Sequence, residues 1–441
     1  MRCAEPSVES ALVARAEQVD GALHAQRDAW GSSGWTRRRF IAGAGMVGTA
    51  ALAGQFVTAR ASFATTPDTT GNTVVVVFMR GAADGLRILV PNSSDLGLNY
   101  LREVRNDLVP SADDLVALSG ARGWAVNAAM RPLYDTLWST GELGFVPGVS
   151  SPGVSRSHFQ AQQYLEKGGS DTVSTGWLDR TLDALGPGTT FRAVAVGGAT
   201  PMSLLGPEAS IALTSVDDFV FPGWDEIRTA SKEAVAKLYR GMPGTLGEDV
   251  PDTLAALKTA ATVRAAEGVQ NGADYPDGDF SQALQDIAAM LRAEVGLQVA
   301  TIDVGGWDTH TDEANDLDGN LGSTAQALSA FMTDLGPARR KRVTVVVQTE
   351  FGRRVEMNAS GGTDHGHGSV MWLLGGGLTG SDVFGKWQTL TANSLDDGDV
   401  PGVNNPFDVF GEVIQKRLGA GSLSSIFPGH KVTPIGLASS A

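Results

Sequence analysis

Thiols are almost absent from this chain: its one cysteine is Cys3, in a sequence of 441 residues. A lone cysteine closes no intrachain disulfide and cannot by itself hold an iron–sulfur cluster, and Cys3 lies in the segment read below as removed on export. Basic residues are scarce as well, 34 against 49 acidic ones, for a formal net charge of −15. Without residues 1–64, which carry seven arginines and five acids, the balance is 27 against 44 and the net charge −17. Such a surface repels polyphosphate, so nucleic acid is not an expected partner. The most apolar stretch, Ile41 to about Ala59, is built largely of Gly and Ala, whereas a stable membrane span requires about 20 strongly apolar residues. No Gly-x-Gly-x-x-Gly turn follows the first strand-like segment at Thr73–Met79, which counts against a dinucleotide cofactor.

What the N-terminal region does have is an export pattern. Thr36-Arg37-Arg38-Arg39-Phe40-Ile41 stands directly before the Gly- and Ala-rich stretch, which carries no acidic residue. These are the charged n-region and weakly apolar h-region of a twin-arginine signal. Ser62-Phe63-Ala64 places small residues where a signal peptidase reads, and Ala59-Arg60-Ala61 offers a second cut. Residues 1–64 are therefore read as a twin-arginine signal region, with the working chain starting near Thr65. The twin-arginine translocase is the expected partner during export, and the expected location is extracellular, cell-envelope or periplasmic. The bland reading of the segment is an uncleaved anchor, and its Gly and Ala content argues against that.

About 375 residues remain, enough for one large α/β domain with a substantial core. Thr73–Met79 is apolar on both faces, as a central strand must be when helices cover it on both sides. Similar runs at Leu143–Pro147, Phe191–Val196, Leu297–Val304, Val343–Gln348 and Val370–Leu374 alternate with helical patterns. The latter fall at Ala129–Thr140, His158–Lys167, Trp177–Leu185, Phe280–Glu294 and Leu321–Leu335. This alternation predicts an α/β fold with a doubly wound, mainly parallel sheet and helices on both faces. Residues 65–441 are read as a single domain, with the Gly- and Asp-rich helical stretch at about 204–280 as an insertion.

The chemistry gathers just after the strands. Asp84 follows the first, Ser155-Arg156-Ser157-His158 the second, and Asp308 and His310 the run ending at Val304. Glu350 and Arg353 follow Val343–Gln348, and Asp364, His365 and His367 lie on a glycine-rich loop before Val370. In an open parallel sheet the groups beyond the strand ends share one crevice; the late loop has to double back over that edge to join them. Four of the six histidines occupy these segments. Neutral imidazoles with carboxylates form a mixed nitrogen and oxygen ligand set suited to zinc, manganese or a similar divalent ion. Glycines beside them let backbones approach closely. Any one of these residues read alone is equally a solvated turn or a histidine satisfied by a carbonyl, and Ser157 is equally the N-cap of the helix at His158.

Taken together, the run from Val74 to Pro91, Ser157 to Gln162, Ser174-Thr175-Gly176-Trp177-Leu178, Trp307-Asp308-Thr309-His310, Thr349 to Arg353 and Gly362 to Gly368 resemble the DUF1501 family. These are secreted bacterial proteins with a twin-arginine signal. The family is similar in turn to the alkaline phosphatase and sulfatase superfamily, whose members hold one or two divalent metals at strand ends and attack phosphate or sulfate esters. The resemblance implies an exported hydrolase of that kind, acting on a small-molecule or polysaccharide anionic ester. It implies Asp84, Asp308, His310, Glu350, Asp364, His365 and His367 as the candidate metal set, with His365 or His367 as the late histidine. Ser157 resembles the nucleophile, and Arg80, Arg156 or Arg353 is the candidate anion clamp. In Glu350-Phe351 the superfamily's Asp-His pair is replaced. That replacement keeps a non-catalytic secreted binding protein open as an alternative. An exported copper-type oxidoreductase is the third.

Overall fold

The computed structural model describes residues 71–440 except 152–154, 218, 222–224 and 243–244. The signal region read at 1–64 lies outside the described residues. The described residues fall into two compact units, one within Phe56–Phe221 and Gly241–Ala441 and the other within Pro222–Arg240. In the second unit the described element is the helix Asp225–Tyr239.

The strands of the first unit run, in chain order, β1 (Thr73–Met79), β2 (Leu89–Pro91), β3 (Leu115–Ala117), β4 (Trp124–Asn127), β5 (Leu143–Val149), β6 (Ala193–Val196), β7 (Ile211–Leu213), β8 (Val299–Val304), β9 (Val343–Thr349), β10 (Ser369–Gly375) and β11 (Asp382–Val383). Eight of them form one sheet in the order β11-β5-β10-β9-β1-β8-β6-β7. All its pairings are parallel except the two made by β10 with β9 and β5. The mainly parallel, helix-covered α/β sheet read from the apolar runs is therefore present.

All seven residues of β1 are buried, because both faces are covered. Val74, Val76 and Phe78 join a core with Trp177, Leu178 and Leu182 of the helix Trp177–Leu185 and Phe407, Phe410 and Val413 of the helix Pro406–Val413. Val75 and Val77 point to the opposite face and are equally buried. The helices Asp279–Arg292 and Glu313–Arg340 pack on β8 and β9. The burial of valine runs on two faces contributes roughly 1.5–3 kcal/mol per side chain, which makes this sheet edge a rigid platform.

Three local readings differ from what formed: β7 (Ile211–Leu213), within the stretch at about 204–280 read as a helical insertion, is an edge strand of the main sheet, parallel to β6. Ala129–Thr140 is not one helix but three short turns, Ala128–Met130, Arg131–Leu133 and Tyr134–Trp138; Pro132 lacks the N–H that a continuous helix would use. A small antiparallel sheet, β2-β4-β3, stands where no strand was expected, its strands being too short to show a period.

Candidate metal centre

The direction of β10 decides how the site closes. Because β10 runs antiparallel to β9, its N-terminal end, Ser369, lies at the edge where β1, β8 and β9 finish. The glycine-rich loop before β10 thus meets the loops that follow the other strands without doubling back. Its approach is backbone to backbone. A Cβ on Gly362 would stand 2.5 Å from the His310 carbonyl carbon, and one on Gly366 would stand 2.4 Å from that of Arg353. Any side chain at either position would push the loop off the edge.

Three imidazoles and a carboxylate meet there. His365 Nε2 is 3.1 Å from His158 Nε2, 3.0 Å from His310 Nε2 and 3.2 Å from Asp308 Oδ1. Asp308 Oδ1 is also 3.1 Å from His310 Nε2, while its Oδ2 is 3.5 Å from His158 Nε2. His158, Asp308 and His365 form a group whose ligand atoms all lie within 4.8 Å of one another; His310 flanks it on the Asp308 and His365 side.

The outer nitrogens fix the tautomers. His365 Nδ1 donates to the Arg156 carbonyl at 2.9 Å, His158 Nδ1 faces Glu350 Oε1 at 2.7 Å, and His310 Nδ1 faces Asp364 Oδ1 at 3.3 Å. Each partner is an acceptor and can take a proton from Nδ1; a neutral imidazole held in that way presents its Nε2 lone pair inward. Two lone pairs about 3 Å apart repel unless a cation lies between them. A single proton can bridge one of the two contacts at His365 but not both. The donor set and its outer carboxylates and carbonyl thus fit a divalent ion held by nitrogen and oxygen, with each histidine oriented from behind.

Charge balance supports the same arrangement. Burial pushes the Asp308 carboxyl up, but the hydrogen bond and charge of Arg353 outweigh it and hold the group below the usual range. Glu350 is buried, which alone would raise it; bonds from His158 and Gln162 prevail and keep it ionised. The Glu350 contact in turn raises the His158 imidazole above its ordinary value.

The residues singled out from the sequence take distinct places. Asp308, His310 and His365 come together. Glu350 and Asp364 stand behind His158 and His310. Glu350 Oε1 accepts from Gly81 N, His158 and Gln162, and its Oε2 from Thr349 Oγ1. His367 turns away to Asp396 at 3.2 Å. Asp84 is buried under Arg105, which grips it through two contacts of 2.7 and 3.3 Å. Arg353 is enclosed: it donates to the carbonyls of Ala82, Thr363, Gly81 and Trp307 and to Asp308 Oδ1. Arg156 is more open and pairs with Asp399. Ser157 is the N-cap of the helix His158–Glu166, yet its hydroxyl makes no capping bond. The candidate ligand that sequence reasoning missed is His158. Its signal was its place among the four post-strand histidines, but the catalytic reading of that segment went to Ser157.

Glu313, the first residue of the helix Glu313–Arg340, lies beside Asp84. Burial, and then the Asp84 charge, push its carboxyl up to about 8. An ordinary glutamate releases its proton near about 4.3. Between those values the unfolded chain loses a proton that the folded chain keeps, so this group's contribution to stability is lost as pH rises toward 8. Glu313→Gln keeps the acceptor for Thr363 Oγ1 and removes the titration. The variant should gain on the order of 1–2 kcal/mol over the parent protein on going from pH 5 to pH 8. Parallel stability curves for the two proteins in denaturant melts across that range would refute the assignment.

The sequence model of the family described as "Protein of unknown function (DUF1501)" matches residues 138–401. No curated protein matches the chain. Among solved structures it is similar to the C-terminal periplasmic domain of EcEptC from Escherichia coli, in complex with Zn, at 9% identity over 72% of this chain and 77% of that one, with a TM-score of 0.30. It is also similar to a 2-O GAG sulfatase, at 10% identity over 83% and 76% with a TM-score of 0.32. An alkaline phosphatase from the Antarctic bacterium TAB5 matches at 10% identity over 71% and 94%, with a TM-score of 0.29.

Proposed function

The chain belongs to the DUF1501 family of proteins of unknown function, and for it we propose metal-dependent hydrolysis of phosphate or sulfate esters. The observation that carries this reading is the convergence of His158, His310 and His365 Nε2 with the Asp308 carboxylate at a strand edge. A divalent ion bound there supplies Lewis acidity toward an ester oxygen and lowers the pKa of an attacking hydroxyl. Zinc and manganese suit the donors.

The chain's own groups do the rest. Ser157 directly precedes His158 and has an uncommitted, half-buried hydroxyl. Its Oγ attacks phosphorus or sulfur and gives up its proton to the departing alcohol oxygen; water then cleaves the Ser157 ester, freeing phosphate or sulfate and returning a proton to Oγ. Arg156, whose guanidinium is 40% exposed, takes the anionic oxygens by exchanging away from Asp399. Arg353 cannot, since its donors are spent on backbone and Asp308; its part is to aim that carboxylate.

The test is a panel of aryl phosphate mono- and diesters and sulfate esters with purified protein whose metal content is known. Ser157→Ala should lower turnover at least about 100-fold while leaving bound metal unchanged. Loss of metal together with activity in that variant would refute the separate nucleophile. A second reading is a metal-bearing binding protein. It draws on the pairing of both arginines beside the centre, Arg156 with Asp399 and Arg353 with Asp308. Full metal occupancy with no turnover on any ester would establish it.

Export through the twin-arginine route belongs to the same proposal, resting on Arg37 and Arg38. No helix among the described residues is long and apolar enough to cross a membrane. Lysine at both arginine positions should retain the protein in the cytoplasm, measured by fractionation; unchanged export would overturn the signal assignment.

A further inference from the structure

Next to the metal centre lies a second set of strand-end acids that is already neutralised. Asp84, Arg105 and Glu313 are 1%, 2% and 0% exposed. Arg105 Nη2 is 2.7 Å from Asp84 Oδ2 and 3.6 Å from Glu313 Oε1. Asp84 also receives Leu86 N, and Glu313 Oε2 receives Thr363 Oγ1 at 2.5 Å. The set is tied to the centre by backbone, because Thr363 is two residues before His365 and its carbonyl accepts from Arg353, which binds Asp308. Glu313 Oε1 and Arg105 Nε make no hydrogen bond.

Two buried carboxyls facing one guanidinium carry one excess negative charge if both ionise, and burial without compensation is costly enough to drive a group neutral. A divalent ion at this point would need the lone pairs of Asp84 that the two arms of Arg105 occupy. It would also leave a net positive charge in a dry pocket. We propose that the Arg105 guanidinium is a built-in cation on Asp84 and Glu313, so that the strand edge takes one divalent ion, at His158, Asp308, His310 and His365, and not two. This rests on the metal reading above and deepens it. With one ion, the symmetrical clamping of attacking and leaving oxygens by a metal pair is not available, and the second charge on the ester must be met by a side chain such as Arg156.

The experiment is equilibrium dialysis of purified full-length protein against Zn2+ or Mn2+, followed by elemental analysis. One ion per chain is expected for the parent protein. Arg105→Ala should raise the number from one to two, and adding Asp84→Asn should return it to one. Two ions in the parent protein, or one in a folded Arg105→Ala, overturns the inference. Should Arg105→Ala fail to fold, replacing His158, His310 and His365 together by alanine decides. That protein should bind none, and one retained ion would place a cation on Asp84 and Glu313 and refute the proposal. Zero ions in the parent protein sinks the metal reading itself, so the two failures are distinct.

Discussion

His365→Ala should empty the metal centre, weakening binding by well over about 100-fold, since even loss of an outer partner of a ligand costs about 10–100-fold. Its Nε2 is the one atom in short contact with His158, His310 and Asp308 alike. No neighbour can replace it, because His367, two residues on, is directed to Asp396. The loop itself should hold its place. Gly366 N and Gly368 N donate to the carbonyls of Gly352 and Val400, and Gly352 N to that of His367, independently of the imidazole. Competition with a chromogenic chelator measures the effect, and circular dichroism checks that the fold survives. An affinity within a few-fold of the parent protein would mean that His365 is not a ligand and that the metal is held elsewhere.

Arg353→Met should be the most destabilising single change at the site, by roughly 3–5 kcal/mol. The side chain is almost fully buried, and its six contacts, one of them to His310 Nε2 at 3.4 Å, tie together the loops after β1 and β8 and the loop before β10. Methionine fills much of the volume but leaves the Gly81, Ala82 and Thr363 carbonyls unmatched, and each buried acceptor without a partner costs about 1–3 kcal/mol. Lysine does not rescue it, because a point charge cannot reproduce a planar fork with donors in several directions. Urea unfolding followed by fluorescence reads the loss. A midpoint equal to the parent's would show that Arg353 is not the brace. Metal affinity should fall with stability, since Asp308 would lose the donor that aims it.

These expectations depend on features that differ in how far local sequence reveals them. Val343–Thr349 and Thr73–Met79 announce themselves, because a strand covered on both faces must be apolar at every position. The crowding of histidines into post-strand loops was equally visible. His158 was harder: a histidine at the first turn of a helix has the same local sequence whether it faces solvent or a ligand group. Asp84 was harder still. It sits where a ligand is expected, yet its partner is Arg105, 21 residues on, at the end of the helix Leu98–Arg105, and no periodicity links the two.

Composition, apolar runs and residue types by themselves determined that this is an α/β chain without thiol chemistry, bearing nitrogen and oxygen donors beyond its strand ends. Those properties follow from burial and from donor chemistry, which act residue by residue. Only the tertiary structure decided that β10 runs backward and so brings its preceding loop to the edge, that His158 completes the group, and that Arg105 and Arg353 claim Asp84 and one oxygen of Asp308. Strand direction and ion pairing are settled by contacts between segments far apart in the chain, where one guanidinium can satisfy a carboxylate only if the packed core has already placed them face to face.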